Sequence, residues 1–140
     1  MLFGPGLGGL SEVSVDQIEC ARAVVDIATV RNVYSLVARL HGDVLAYCER
    51  NGIGFIAFWP LHGGALAQSQ EMASIAATRR ATLAQVSLAW LLRKSPNIIL
   101  IPGTSSVAHL EENLAARSVA LSEDDMATLE ALSIPDRSAK

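Results

Sequence analysis

Three short apolar runs, DIATV at residues 26–30, GFIAFW at 54–59 and NIILI at 97–101, are separated by stretches whose apolar residues recur with helical spacing. This alternation constrains the fold more than any other feature. Neighbouring parallel strands need a long crossover, and an intervening helix supplies it. Strand, helix, strand, helix therefore predicts right-handed βαβ units and a parallel sheet, an α/β architecture. NIILI is apolar throughout after Asn97 and is expected to be the central strand, buried on both faces. Three or four such strands make either a small open sheet or a portion of a larger one. No period of 20 to 50 residues suggests a solenoid.

The helices carry their own boundaries. Ser14 and Gln17 form a capping box ahead of Val15, Ile18, Ala21 and Val25, which share a helical face. Asp43 is placed to cap VLAYCERN, with Gly52 as its stop signal. Residues 71–80 read as helical. Thr82 and Gln85 start a longer amphipathic helix, LAQVSLAWLLRK, which ends before Ser95-Pro96. Residues 106–115 form another. Ser122 caps a last one, EDDMATLEALS, with acids in its first turn, where the helix dipole favours them. Residues 1–10 are an atypical, glycine-broken start expected to be disordered. RNVYSLVARLHG and LHGGALAQSQ read as loops.

Composition narrows the function classes. The chain of 140 residues is 51% hydrophobic and only 18% charged, which suits strands buried on both faces or a large surface hidden against a partner. The net charge of −3 comes with no stripe of Lys and Arg, so nucleic acid is not an expected partner. No apolar run is long enough to span a membrane, and the start has no basic region of a signal peptide. Cys20 and Cys48 are isolated within helical patterns and are expected to be buried small hydrophobes, which fits a cytoplasmic protein.

Ligands of parallel α/β folds meet the carboxyl ends of the strands. Those ends are Ser11-Glu12, Arg31-Asn32, Phe58-Trp59 and the Gly-Thr-Ser-Ser stretch from Gly103 to Ser106. In the last, a glycine allows close approach, and hydroxyls stand beside a helix N-terminus whose free amides favour an anion such as phosphate. His109, Glu112 and Asn113 lie further along the helix, where a carboxylate and an amide could read an adenine edge. Ordinary helix capping by Ser and Thr is the commoner use of such residues. Phe58 and Trp59 are placed either to stack on a planar ligand or to sit in the core. The three histidines have no metal-ligand spacing, and no nucleophile elbow or Walker lysine is present.

IPGTSSVAHLEENLAA at 101–116 strongly resembles the cofactor-binding strand, loop and helix near the C-terminus of aldo-keto reductases. GLSEVSVDQIE, VDIATVRNVYSL, YCERNGIGFIAFWPL and ATLAQVSLAWLLRKSP resemble other segments of that family, in the family's order. The resemblance implies roughly the second half of a (β/α)₈ TIM barrel plus a C-terminal helix, one partial domain over residues 1–140. It implies an NADP(H)-dependent oxidoreductase that reduces aldehydes and ketones by hydride transfer, with NAD(H) as the alternative cofactor.

Position by position, the resemblance places Ser11 on the nicotinamide carboxamide. Glu12 stands where many members have asparagine, and Arg31 where a carboxamide-binding glutamine is usual. Phe58 matches the aromatic that stacks on the nicotinamide ring, and Trp59 and Leu61 belong to the same loop. Gly103, Thr104 and Ser105 match the loop around the 2′-phosphate, with Gly103 replacing a lysine of some branches. His109 replaces an arginine used against that phosphate, and Glu112 and Asn113 match the adenine-contacting pair. A neutral histidine offers one donor where arginine offers a charged fork, so weaker discrimination for NADPH over NADH is expected.

The family's catalytic tyrosine, lysine, aspartate and histidine belong to the half of the barrel that precedes this segment. Neither Tyr34 nor Tyr47 is assigned their role, so no catalytic residue and no metal are expected here. The chain reads as a truncated cofactor-binding half that would take a small carbonyl substrate only if the barrel is completed. The alternative is a non-catalytic nucleotide-binding or inert half barrel that self-associates through exposed strand edges.

Overall fold

The computed structural model describes residues 6–62 and 69–132. Four strands form one parallel sheet in the order of the chain: β1 (Gly8–Ser11), β2 (Ile27–Val33), β3 (Gly54–Phe58) and β4 (Ile98–Leu100). Among the described residues six α-helices accompany them: α1 (Val15–Arg22), α2 (Gly42–Arg50), α3 (Gln70–Arg79), α4 (Leu83–Lys94), α5 (Val107–Ala115) and α6 (Glu123–Ala131). The parallel α/β order expected from the alternation is present. The capping boxes at Ser14, Thr82 and Ser122 are formed, and Gly52, just past the end of α2, has a left-handed φ of 65°.

Several local readings need correction. Apolar β4 is at an edge of this sheet and not at its centre, with Ile99 exposed. β2 runs on through Arg31 to Val33, inside a stretch read as loop, because its ladder to β3 continues to Val33↔Phe58. The start is ordered from Gly8, where pairing with Ile27 recruits residues whose own sequence carries little strand signal. The N-cap of α2 is His41, with no side-chain cap; Asp43 lies in the first turn, where its charge meets the helix dipole. Cys20 is exposed on α1, while Cys48 is buried, and burial pushes its thiol up to about 11.

The helices cover one face of the sheet. Val30, Phe55, Ala57 and Ile98 are buried there with Ile18, Val44, Cys48, Val86 and Trp90. The alternate residues point the other way: Thr29, Ile56 and Phe58 are half-buried, and Arg31 and Ile99 are exposed. This second face, like the interior of a barrel cut lengthwise, has no layer packed on it among the described residues. Buried Asn32 fixes the connection after β1: its amide donates to Val13 O at 2.8 Å and accepts from Val13 N at 3.1 Å.

The terminal helix is tied on by charge. Arg39, over the ring of Trp90 at 5.0 Å, donates to the carbonyls of Leu129 (2.8 Å) and Glu130 (2.9 Å), satisfying last-turn acceptors of α6. At the other end of α6, Asp125 pairs with Arg79 at 2.6 Å and receives the Ser122 amide. Burial alone would raise the Asp125 carboxyl, but hydrogen bonds from the Ser122 amide, Arg79 and the Ser122 hydroxyl together hold it below the ordinary aspartate value. A depressed carboxyl stabilises the fold above its unfolded-state pKa and loses that contribution as pH falls through the folded value. Melting temperature should therefore fall on acidification below the normal aspartate range, and Asp125→Asn should flatten that limb. An unchanged acid limb in the variant would refute the assignment.

Candidate functional site

The four strands end on the same side, and the exit from each strand contributes a part of the site. After β1, Ser11 is exposed and lies opposite Arg31 in the register. Glu12 adopts a left-handed φ of 53° and extends the ladder with both backbone and side chain. Its amide donates to Arg31 O at 2.9 Å, and its carboxylate accepts from Val33 N at 2.8 Å. The same carboxylate stands 3.9 Å from His41 Nε2. Glu12 is thus engaged in closing the top of β2 rather than reaching into the open face.

Arg31 projects onto the open face, with its guanidinium over the Phe58 ring at 4.4 Å from the centroid. Phe58 is half-buried and Trp59 is 56% exposed, so neither belongs to the core, which was the alternative left by their pattern. Trp59 has a φ of 58°, a left-handed conformation that a bulky residue adopts at a cost. Its ring lies 4.5 Å from that of His62, itself at φ 44°. The chain therefore turns sharply out of β3 and leaves one aromatic face open to a cleft.

That cleft, about 690 Å³, is lined by Arg31, Phe58, Trp59, Pro60, Leu61, Ile101, Pro102 and Gly103. Its size is that of a small-molecule site with apolar walls and few polar groups. Pro60, Ile101 and Pro102 were not singled out from the sequence. Their signal is positional: they flank the ends of β3 and β4. A Cβ added at Gly103 would meet no atom within 4 Å, so the protein's own packing does not demand glycine there. The open volume over that backbone is available to a ligand.

Beyond Gly103 the hydroxyls divide. Thr104 Oγ1 accepts from Ser106 N at 3.0 Å, and Ser106 caps α5 through the His109 amide at 3.4 Å. The capping use expected of such residues is realised by Ser106, while Thr104 closes a local turn ahead of it and Ser105 is exposed. His109 is exposed on the first turns of α5. Glu112 Oε1 accepts from the Thr82 hydroxyl at 2.5 Å, and Gln85 Nε2 donates to Glu112 O at 3.0 Å. Glu112 thereby docks α5 on the start of α4, and Asn113 beside it is half-buried. The structure brings Arg31, Phe58, Trp59, Leu61 and Gly103 to one cleft, with Ser11 opposite Arg31 in the register of β1 and β2. His109, Glu112 and Asn113 form a second group on α5, joined to the first through residues 103–106.

The tyrosines lie elsewhere. Tyr34 is buried against Phe55 and Trp90, and burial first, then Glu130, raises its phenol, with Arg39 opposing. Tyr47 on α2 accepts from Arg22 at 2.7 Å and donates to Glu19 at 3.1 Å. Among the described residues, no helix is long and apolar enough to cross a membrane.

A nicotinamide dinucleotide fits this arrangement in chemistry: an aromatic face for a ring, an open glycine backbone for close approach, and a capped helix start for a phosphate. The sequence profile described as Aldo/keto reductase family matches residues 7–134. Pyridoxine 4-dehydrogenase of Escherichia coli (strain K12) is 45% identical over 125 residues, covering 89% of this chain and 44% of that protein. An uncharacterized oxidoreductase of Schizosaccharomyces pombe is 42% identical over 123 residues, covering 87% and 40%. Among solved structures, an aldo-keto reductase from Klebsiella pneumoniae in complex with NADPH superposes with a TM-score of 0.82 at 28% identity, over 87% of this chain and 46% of that one. A thermostable aldo-keto reductase bound to the inhibitor epalrestat gives 0.81 at 32% identity, over 89% and 47%. The chain spans less than half the length of these relatives.

Proposed function

Because the chain belongs to the aldo/keto reductase family, we propose that its strand ends bind NADP(H), with NAD(H) as a weaker alternative, and that it is the cofactor-binding half of a carbonyl-reducing barrel. The observation that carries this reading is the continuous path from the Phe58 ring through Gly103 to the start of α5. When bound, the dinucleotide supplies the hydride. The chain's residues position it: Phe58 offers a ring face, Ser11 and Arg31 offer donors at the same rim, and Gly103 admits the backbone contact. Thr104, Ser105 and the α5 amides receive phosphate. His109 is the neighbouring side chain, and Glu112 and Asn113 face the adenine side. A solved relative is described with NADP and acetate, which supports the cofactor and a small ligand beside it. The proton donor for an aldehyde or ketone would come from four further βα units that complete the barrel. Two free thiols, Cys20 and Cys48, suit a reducing cytoplasm.

The cofactor preference is tested at His109. Arginine there would add a permanent charge and a bidentate fork for a 2′-phosphate. His109→Arg should tighten NADPH roughly tenfold and leave NADH unchanged, as expected of a charge-assisted contact to a phosphate. Equal changes for the two cofactors, or none, would place the phosphate elsewhere.

A second reading has its own observation. The sheet face carrying Ile99 is uncovered, and Val107, Leu110 and Leu114 form an exposed apolar stripe along α5. The chain on its own then pairs with a second copy, four strands from each, whether or not it takes part in catalysis.

A further inference from the structure

A second cleft goes beyond the dinucleotide reading and does not depend on it. It measures about 460 Å³ and lies between the end of α3, the start of α4 and the chain that leaves α5. No strand contributes to it, and none of the residues assigned to the dinucleotide lines it. Thr78, Arg79, Arg80 and Ser118 stand on its walls, and no carboxylate does. Arg80 has a left-handed φ of 51° at the end of α3, a conformation that costs an arginine what it would not cost a glycine. Its side chain is not needed to close the helix. The Arg80 amide donates to Ala77 O at 3.2 Å and the Ala81 amide to Ala76 O at 2.9 Å. Arg80 is exposed, and among the described residues no carboxylate pairs with it. Arg79 beside it is fixed, with Nε and Nη2 each 2.6 Å from Asp125 Oδ2. Gln85, also on the wall, is already spent on Thr82 N and Glu112 O.

We propose that Arg79 and Arg80 form a seat for the phosphate group of a small phosphate monoester, with the Thr78 and Ser118 hydroxyls as further donors. A guanidinium offers donors in a planar fork and no acceptor, which suits a group that carries several acceptor oxygens. The two arginines play different parts. Arg79 is held in place by Asp125, so its remaining donors at Nη1 are positioned before a ligand arrives. Arg80 is free to swing, and its charge is not offset by any partner among the described residues. A strained backbone that the helix end does not require is explained when the side chain it carries has a ligand to hold. The cleft is several times larger than a phosphate, and Ala115, Val119 and Ala120 give it an apolar wall. An ester with a short apolar body therefore fills it better than inorganic phosphate.

Inorganic phosphate and butyl phosphate are the probes, and the broadening of their ³¹P lines by the 140-residue chain at fixed ionic strength is the readout. Butyl phosphate is expected to bind severalfold more tightly than inorganic phosphate. Arg80→Gly should weaken butyl phosphate about tenfold, the scale of a lost charge-assisted contact. The same variant should raise the melting temperature by a few degrees, because glycine relieves the left-handed backbone, so unfolding does not explain the lost signal. Arg80→Lys, which keeps charge without the fork, should fall between. The titrations are run with and without NADPH, which itself carries phosphates. The difference between wild type and Arg80→Gly should be the same in both. No broadening by the wild-type chain, or equal broadening by wild type and Arg80→Gly, would overturn the proposal. A difference that vanishes when NADPH is added would also overturn it, since the phosphate would then belong to the strand ends. If NADPH fails to bind, the Arg80-dependent difference remains readable, so the two readings fail separately.

Discussion

The purified chain should sediment at twice its 14.9 kDa monomer mass or above, and Ile99→Lys should shift it towards the monomer. Among the described residues no strand pairs with the outer edge of β1 or of β4, which leaves amides and carbonyls there that invite another strand. β4 adds exposed Ile99 on the uncovered face, and α5 adds Val107 and Leu114, 73% and 60% exposed. Exposed apolar residues that form one surface mark an association site, whereas scattered ones do not. Four described strands in one copy would be matched by four in another, and the relatives are about twice as long. A lysine at position 99 puts charge on an edge strand while leaving the helix-covered core untouched. Sedimentation equilibrium over a range of concentrations checks both statements. A monodisperse monomer with a cooperative melt would show that the open face is tolerated in water.

Trp90→Ala should remove most of the stability of the helix-covered face. Trp90 is fully buried, stacks on Tyr34 at 6.1 Å, and lies beneath Arg39 and Lys94. Truncating a buried tryptophan costs about 3–5 kcal/mol through lost transfer energy and the cavity left behind. Native domains have only roughly 5–15 kcal/mol in total. The cavity would also loosen Arg39, which holds the last-turn carbonyls of α6. Loss of the tryptophan contact should therefore free α6 as well. Denaturant unfolding monitored by far-UV circular dichroism measures the loss, and Trp90→Phe should recover much of it. A midpoint that hardly moves in Trp90→Ala would mean that the core does not centre on this ring.

What could be read from the chain divides by distance. Ser14 with Gln17 and Thr82 with Gln85 are contacts across three residues, and their capping boxes are formed as expected. The alternation of strand and helix likewise survives as a parallel sheet, because each βα unit is set by its own periodicity. The position of β4 in the sheet is a non-local property. Its apolar text is compatible with a central strand or with one face of a barrel interior, and sequence alone does not choose between them. The continuation of β2 to Val33 depends on pairing with Phe58, and the order at Gly8 depends on pairing with Ile27.

The site obeys the same rule. A cleft at the strand ends is what the alternation led one to expect, and Arg31, Phe58, Trp59, Leu61 and Gly103, positions picked out by the resemblance, line one there. The partners of the site residues were not legible. Glu112 receives the hydroxyl of Thr82, 30 positions away, and Glu12 closes the ladder through a left-handed turn. The seat of Arg31 on Phe58 joins adjacent strands on a face that no helix covers among the described residues. Each is a contact between segments whose local patterns do not mention one another.

Isothermal titration of the chain with NADPH tests most directly whether these strand ends bind a dinucleotide. The expected result is saturable binding of one NADPH per chain, with Gly103→Val weakening it at least roughly tenfold while leaving the melting temperature in place, since a side chain there enters ligand space and not the core. No binding by a chain that melts cooperatively, or full affinity in the Gly103 variant, would contradict it.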